Sequence, residues 1–289
     1  MSDAAEIHPA YKVSGLARPV DPAYPTNKAL SMILPVLLLG GVVWTWWGGG
    51  TWLEVAIGGF NLALVGFFVW AMTREMAPDD NPAAFIALVL AALTWTRMGS
   101  LSFLLLAGAM GPARVVNRST GRGTELTDTA AAVALGGLLS WGVHWSVGIA
   151  ATLGFVFDAF LPAPTRNDRQ SRHLVAAGLV GASTLVQVLA SPPEFRLPPH
   201  LPIFGTVALL GWIVTLACPT PRSVGDVDGL PLSRNRVRLG TALIMLVATL
   251  TAVDANYVME PSGALWAAVA GMVLGFPVML LRRRPSASA

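Results

Sequence analysis

Charged residues are scarce in this chain of 289 residues, of which only 12% are Asp, Glu, Lys or Arg. A soluble globular domain carries about 25% charged residues, so this chain cannot cover a water-facing surface, and a soluble enzyme is excluded. The hydrophobic content of 54% also excludes a disordered chain, because disordered chains are poor in apolar residues. The composition therefore predicts an integral membrane protein.

Cysteine and histidine are nearly absent. Cys218 is the single cysteine, so no intrachain disulfide forms and no cysteine-based metal site is available. The four histidines show no metal-ligand spacing, and no nucleotide-binding, serine-hydrolase or zinc-protease motif occurs. Asp79 and Asp80, the one adjacent acid pair, are interpreted as a solvated loop ahead of a helix and not as a magnesium site. We predict no cofactor, no metal and no catalytic residue, which favours a protein that is not an enzyme.

Long apolar segments are abundant, and a helix that spans a bilayer needs roughly 20 residues. Six segments meet or approach this length: 30–47, 53–72, 174–190, 201–217, 239–254 and 264–281. Two further stretches, 82–111 and 128–161, are each too long for one comfortable span. Polar residues with tryptophan interrupt them near the middle, at 94–100 and 140–146. Tryptophan prefers the membrane interface, so each stretch is predicted to form two short helices.

The distribution of basic residues also favours ten spans. With ten spans and both termini in the cytoplasm, 17 of the 19 basic residues lie on the cytoplasmic side, and only Arg97 and Arg196 lie outside. Unbroken helices would give eight spans and place Arg97 near the bilayer centre, at a cost of about 2.5–3.5 kcal/mol. We predict an all-α, polytopic integral membrane protein with about ten short transmembrane helices arranged as five helical hairpins. Eight spans are the alternative.

The chain divides into one membrane domain and two short tails. Residues 1–28 contain four prolines and no apolar segment, which indicates an irregular cytoplasmic tail and not a cleavable signal peptide. Residues 29–284 form a single transmembrane helical domain, and residues 285–289 form a second cytoplasmic tail. We therefore expect a multi-pass protein of the cell membrane with both termini in the cytoplasm.

The inner loops are rich in arginine and form a basic cytoplasmic rim. They are residues 114–122, 166–172 and 234–238, followed by the three arginines 282–284. Attraction to anionic headgroups is worth about 1 kcal/mol per basic residue, so anionic lipids of the cytoplasmic face are predicted partners. Nucleic acid is not, because no aromatic and basic platform accompanies these charges. Other membrane proteins and a second copy of this chain stay open as partners.

Polar groups inside the spans are few, so each is a candidate for binding substrate. Ten spans place Arg97, His144 and Asp254 near the outer face, where a cation, a titratable imidazole and a carboxylate would share one pocket. Alternatively, each of them caps its own turn and faces water. The full set of predicted substrate-binding residues is Asn61, Arg97, His144, Asp254, Asn256 and Tyr257. Asn61, in the middle of a span, fits hydrogen bonding between helices as well as substrate contact.

Two structural interactions are predicted as well. Gly271 and Gly275, four residues apart in the last span, are typical of helices that pack closely. Asp158, at the inner end of a span, is interpreted as a partner of Arg166 or Arg169 at the interface.

Three functions stay open, and the leading hypothesis is a small-solute transporter or channel, coupled to protons through the histidine. The layout of ten short helices is similar to that of the drug/metabolite transporter superfamily, and this resemblance of layout implies transport. The first alternative is a non-catalytic subunit or assembly factor of a membrane complex. The second is a membrane enzyme that acts on a lipid-like phosphorylated substrate through inner residues, namely Arg118, Arg122 or Arg169 beside Asp128 or Asp158.

Overall fold

The protein is all-helical. A computed structural model describes residues 9–162, 169–197, 201–258 and 260–283, of which 76% are helical and none forms a strand. The helices are α1 (Ala10–Val13), α2 (Pro25–Trp47), α3 (Trp52–Met76), α4 (Asn81–Met98), α5 (Phe103–Asn117), α6 (Leu126–Gly142), α7 (Trp145–Phe160), α8 (Arg169–Ala190), α9 (Leu201–Ala217), α10 (Arg234–Val253) and α11 (Gly263–Arg283). A 3-10 turn at Glu260–Ser262 precedes α11. The all-α prediction is confirmed.

Six of the described helices are long and apolar enough to cross a bilayer: α2, α3, α4, α8, α10 and α11. The surface of α2 shows why a membrane is needed. Met32, Val36, Leu39 and Val43 fall on one face of this helix, and each is more than half exposed. Such an apolar row is unfavourable in water and favourable against lipid. The chain is therefore a membrane protein, whereas the number of crossings and their grouping into hairpins stay predictions.

Both long apolar stretches break where the sequence predicts. α4 ends at Met98, and Gly99 then adopts a φ of 80°, which glycine reaches without steric cost. Ser102 caps α5, because its hydroxyl accepts a hydrogen bond of 3.1 Å from a backbone N–H of the first turn. Only Val143 and His144 separate α6 from α7. The two stretches thus form four helices.

Several helices extend beyond the apolar segments that predict them. α5 continues through Pro112 to Asn117, α8 begins at Arg169, and α10 begins at Arg234. Backbone hydrogen bonds do not depend on apolar side chains, so a helix continues through the polar interface until a cap or a glycine ends it. The length of an apolar segment therefore predicts the membrane-crossing part of a helix but underestimates the full length of that helix.

Helix packing follows the chain order only in part. α2 packs against α3 and α6 against α7, whereas α4 packs most extensively against α11, and α5 against α10. Gly271 and Gly275 permit the contact of α11 with α4, because a Cβ atom at either position would overlap Ala87 or Ala83. The predicted packing role of these two glycines is confirmed.

The connections between helices gather at two ends of the bundle. At the first, which we call the histidine end, the turns after α4, α6, α8 and α10 meet; Ser102 N–H, for example, donates to Pro261 O at 3.0 Å. At the second, the arginine end, the N-terminal tail meets the connections after α3, α5 and α9. Arg18, for example, forms ion pairs with both Glu75 and Asp226 there. Each long helix therefore has one terminus at each end.

Candidate functional site

His144 and Asp254 form a buried polar pair at the histidine end. Their exposed fractions are 4% and 5%, and His144 Nε2 lies 3.2 Å from Asp254 Oδ2. His144 belongs to the turn between α6 and α7, and Asp254 directly follows α10. The pair therefore connects two parts of the bundle that are far apart in the chain.

His144 is oriented by the start of α7. Its Nδ1 atom accepts a hydrogen bond of 3.2 Å from the backbone N–H of Ser146, and the Ser146 hydroxyl lies 2.7 Å from the same nitrogen. Because Nδ1 is an acceptor, we infer that the ring hydrogen is on Nε2, which donates to Asp254. Ser146 is completely buried, so the row of Ser146, His144 and Asp254 contains no exposed nucleophile.

Asp254 accepts hydrogen bonds on both carboxylate oxygens. The indole N–H of Trp145 donates to Oδ2 at 2.6 Å, and the backbone N–H of Asn256 donates to Oδ1 at 3.0 Å. The ring of Tyr257 packs edge-on against the ring of His144, with the centroids 4.8 Å apart. Trp145 is a member of this cluster that sequence reasoning missed, because a tryptophan beside a turn was interpreted only as an interface anchor.

The segment between α8 and α9 covers the pair. Phe195 packs edge-on against Trp145 with the ring centroids 6.1 Å apart. Two backbone hydrogen bonds fix this segment, from Arg196 N–H to Val253 O at 2.8 Å and from Ala255 N–H to Glu194 O at 2.6 Å. Connections from three pairs of helices therefore meet around one carboxylate.

The imidazole of His144 is the titratable part of this contact, and it lies in a turn outside the helices. Burial lowers the pKa of His144 below its ordinary value of about 6.5, and the neighbouring carboxylate of Asp254 opposes this effect without cancelling it. His144 is therefore neutral at neutral pH. A proton added to this ring would create a charge in a buried place and would change the contact with Asp254.

The six predicted binding residues do not all meet. His144, Asp254, Asn256 and Tyr257 come together, but Arg97 is exposed in the last turn of α4 and makes no ion pair with any described residue. The expected pocket of three charged groups is thus reduced to the histidine and the aspartate. The role of Arg97 in binding stays a prediction.

Asn61 connects α3 to the turn between α4 and α5. Its Oδ1 atom accepts from the indole N–H of Trp95 at 2.9 Å, and its Nδ2 atom donates to Leu101 O at 2.9 Å. Both functional groups of the amide are thus used between helices. Of the two interpretations of this residue, structural hydrogen bonding is the one the geometry favours.

Asp158 is the centre of a buried ionic network at the arginine end. Arg118 binds it through two hydrogen bonds of 2.7 and 2.6 Å, and Arg236 adds a third of 2.6 Å. His173 Nδ1 lies 3.0 Å from the same carboxylate, and all four residues are at most 7% exposed. Of the partners predicted from the sequence, Arg166 lies outside the described residues and the side chain of Arg169 is not described. The partners seen here come from distant helices.

Glu75 is the centre of a second network, which no sequence pattern indicated. This completely enclosed carboxylate pairs with Arg114 at 3.1 Å and with Arg18 at 3.4 Å. Arg18 also pairs with Asp226 at 2.7 Å. Nearer the N-terminus, Gly15 N–H donates to Asp128 at 2.8 Å. The described part of the N-terminal tail is therefore bound to the arginine end.

The interpretation of Asp79 and Asp80 as a solvated loop is wrong. Asp79 accepts hydrogen bonds from the backbone and hydroxyl of Ser223 and pairs with Arg283. Burial alone would raise the pKa of Asp79, but these hydrogen bonds and the charge of Arg283 lower it. Asp80 is only 2% exposed and caps α4. The connections after α3 and α9 pack together, which no local pattern predicts.

Among the described residues, no group of three or more histidine, cysteine, aspartate or glutamate side chains is arranged to hold a metal ion. No family model, curated protein or solved structure matches this chain. The layout of ten helices therefore assigns no family, and the function has to be argued from the sites themselves.

Proposed function

We propose that this protein is a small-solute transporter of the cell membrane, coupled to protons, with ten crossings and both termini in the cytoplasm. The observation that carries the proposal is the buried pair of His144 and Asp254. Titratable groups are costly to bury away from water, so a buried pair where several connections meet is a functional candidate. A structural ion pair needs no imidazole that can take up a proton, whereas a proton-coupled carrier needs a group of this kind.

Protonation offers a physical route to movement. Asp254 binds the neutral donors of His144 and Trp145, and hydrogen bonds to a charged acceptor contribute about 1.5–3 kcal/mol each. A proton taken up by His144 would go to Nδ1, which could then no longer accept the hydrogen bond from the Ser146 N–H. The imidazole would turn away from the start of α7, which changes its contact with Asp254 and loosens the histidine end.

The surroundings of the pair suggest where a solute approaches. Asn256 is exposed, Tyr257 is half-buried, and His144 is buried behind them. Arg97 is exposed at the same end of the bundle. In this proposal a solute contacts Asn256 and Tyr257 first, and Asn61 serves the structure and not the solute.

The sidedness of the two ends can be tested with single cysteines. In a Cys218→Ser background, Leu197→Cys tests the histidine end and Leu230→Cys tests the arginine end; the native leucines are 75% and 50% exposed. A membrane-impermeant thiol reagent should label position 197 in intact cells and position 230 only after lysis. Labelling of position 230 in intact cells would contradict the proposed topology.

Transport can be tested with purified protein in liposomes that contain a pH-sensitive dye. A panel of amino acids, sugars, organic acids, nucleosides and organic cations is added outside, and the initial proton flux is measured. We expect at least one class to raise the flux, and His144→Gln and Asp254→Asn each to reduce that flux about tenfold, as expected for the loss of one charge-assisted hydrogen bond.

Arg196→Gln is the matched control, because Arg196 lies at the same end and its side chain is exposed, and its one ion pair among the described residues is to exposed Glu194. This variant should transport like the wild type. Wild-type vesicles that behave like empty vesicles across the whole panel would overturn the proposal. Full activity of both the histidine and the aspartate variants would remove the assigned mechanism.

A further inference from the structure

A cavity of about 440 Å³ lies at the arginine end, between the N-terminal tail and the ends of α2 and α3. We call it the tail cavity. The lining residues that matter here are Arg18, Arg74, Arg114, Phe67, Trp70 and Asp226. Cationic, acidic, aromatic and apolar side chains thus surround one space at the level where the helices end, and Asp21 is a second lining carboxylate beside Asp226.

The three arginines of the tail cavity differ in their partners. Arg18 and Arg114 both pair with carboxylates, as described above. Arg74 contacts only neutral groups among the described residues: the amide oxygen of Asn81, the Thr26 hydroxyl at 3.4 Å, and the ring of Trp70 at 5.7 Å. A half-buried guanidinium without a counter-ion is less favourable than one that binds an anion. Among the described residues, Arg74 is therefore the lining arginine without an ion pair, and the carboxylates of Asp226 and Glu75 act on it only from a longer distance.

The wall of the tail cavity changes from polar to apolar along α3. Phe67, Trp70, Ala71 and Arg74 all line it, and their spacing of three and four residues places them on one helix face. At a rise of about 1.5 Å per residue, Phe67 lies roughly 10 Å farther along the helix than Arg74. The indole nitrogen of buried Trp70, next to Arg74, has no hydrogen-bond partner among the described residues. The cavity therefore has a cationic part near the helix end and an apolar part at membrane depth.

We propose that the tail cavity binds a phosphate group, with the guanidinium of Arg74 as its principal cation. A guanidinium matches two phosphate oxygens with two parallel hydrogen bonds, which an amide or a hydroxyl cannot do. The apolar wall favours a phosphate carried by a lipid, whose chains would lie against Phe67. Free inorganic phosphate offers the same oxygen atoms. This site is separate from the pair of His144 and Asp254 and does not depend on the proposed transport.

The proposal can be tested by native mass spectrometry of the full-length protein in a neutral detergent. Phosphatidylglycerol is titrated against the protein, and diacylglycerol, which lacks the phosphate, is the comparison lipid. We expect phosphatidylglycerol to bind and diacylglycerol not to. Arg74→Gln should weaken the binding about tenfold, because it removes a pair of charge-assisted hydrogen bonds.

Lys28→Gln is the matched control. Lys28 is exposed in the first turns of α2, at the same end of the bundle, so this variant loses the same charge outside the cavity. It should bind phosphatidylglycerol like the wild type. Equal weakening by Arg74→Gln and Lys28→Gln would overturn the proposal, since it would show only a diffuse attraction to the basic rim. Diacylglycerol binding as tightly as phosphatidylglycerol would overturn it as well.

Inorganic phosphate added as a competitor distinguishes the two sources of the phosphate group, namely a lipid headgroup and the free anion. Displacement of the lipid at millimolar phosphate would show that the free anion binds, and no displacement would show that the lipid is the ligand; both support a phosphate site. If Arg74→Gln does not fold, the variant Arg74→Lys is used instead to test whether Arg74 binds the phosphate. Lysine keeps the charge but loses the paired hydrogen bonds, so unchanged binding by this variant would overturn the assignment of Arg74.

Discussion

The two ends of the bundle bury carboxylates in different ways. At the arginine end, Asp158 is bound by two permanent cations, the guanidinium groups of Arg118 and Arg236, in addition to its contact with His173. At the histidine end, Asp254 is bound by neutral donors, one of which is the imidazole of His144. A carboxylate with two permanent cations keeps them when the pH changes, whereas the contact of Asp254 depends on a histidine that can take up a proton. The two ends therefore differ in how they respond to a change of charge.

The largest expected effect comes from removing the carboxylate charge at each end. Asp158→Asn leaves Arg118 and Arg236 buried without a counter-ion, which should lower the free energy of unfolding by about 3–5 kcal/mol. Asp254→Asn leaves only neutral groups behind and should cost about 1.5–3 kcal/mol. Unfolding in detergent, followed by far-UV circular dichroism against a denaturant, measures both.

Glu194→Gln serves as the control for these substitutions, because it makes the same chemical change at an exposed carboxylate and should leave stability unchanged. A loss for Asp254→Asn as large as that for Asp158→Asn would contradict the comparison. It would mean that the histidine end is as strongly anchored as the arginine end.

A smaller effect is expected from pH. The folded state has a lowered His144 pKa, so the unfolded imidazole takes up a proton at a higher pH than the folded one. Stability therefore falls as the pH is lowered through about 6.5, by at most about 1.4 kcal/mol per pH unit. In His144→Gln this part of the pH dependence should be absent. The measurement is the same unfolding experiment at pH 7.5 and pH 5.5, for both proteins.

The difference in pH dependence between the wild type and His144→Gln isolates the contribution of His144 from the contributions of other titratable groups. The arginine side chains do not titrate in this range, so the ion pairs of Asp158 with Arg118 and Arg236 should persist. An identical pH dependence in wild type and His144→Gln would show that the histidine end does not respond to protons. That result would also argue against proton coupling.

Much of the fold was predictable because the membrane imposes simple constraints. Twenty apolar residues predict a crossing, and polar residues with tryptophan predict where a long stretch breaks, as at Gly99 and His144. The approach of His144 and Asp254 was also predictable, since both belong to turns on the same side of the predicted topology. Such inferences need only the order of the helices and the side on which each turn lies.

The partners of the charged residues were not predictable. Asp158 binds Arg118, which directly follows α5, and Arg236 of α10, and Glu75 binds side chains of the tail and α5. Arg97 stays exposed although its helix ends close to the predicted position. Which helices become neighbours is decided by the fit of faces such as Gly271 against Ala87, and this fit leaves no periodic signal along the chain.

The sequence by itself determined that the chain enters a membrane, that it is helical, and where the chain turns between most of its helices. It did so because the cost of placing polar groups in lipid acts on each segment separately. The tertiary structure alone decided that the tail packs on the arginine end, that Trp145 binds Asp254, and that Arg74 faces a cavity without an ion pair to any described residue. These features depend on distances between residues far apart in the chain, and only the packing of the helices sets such distances.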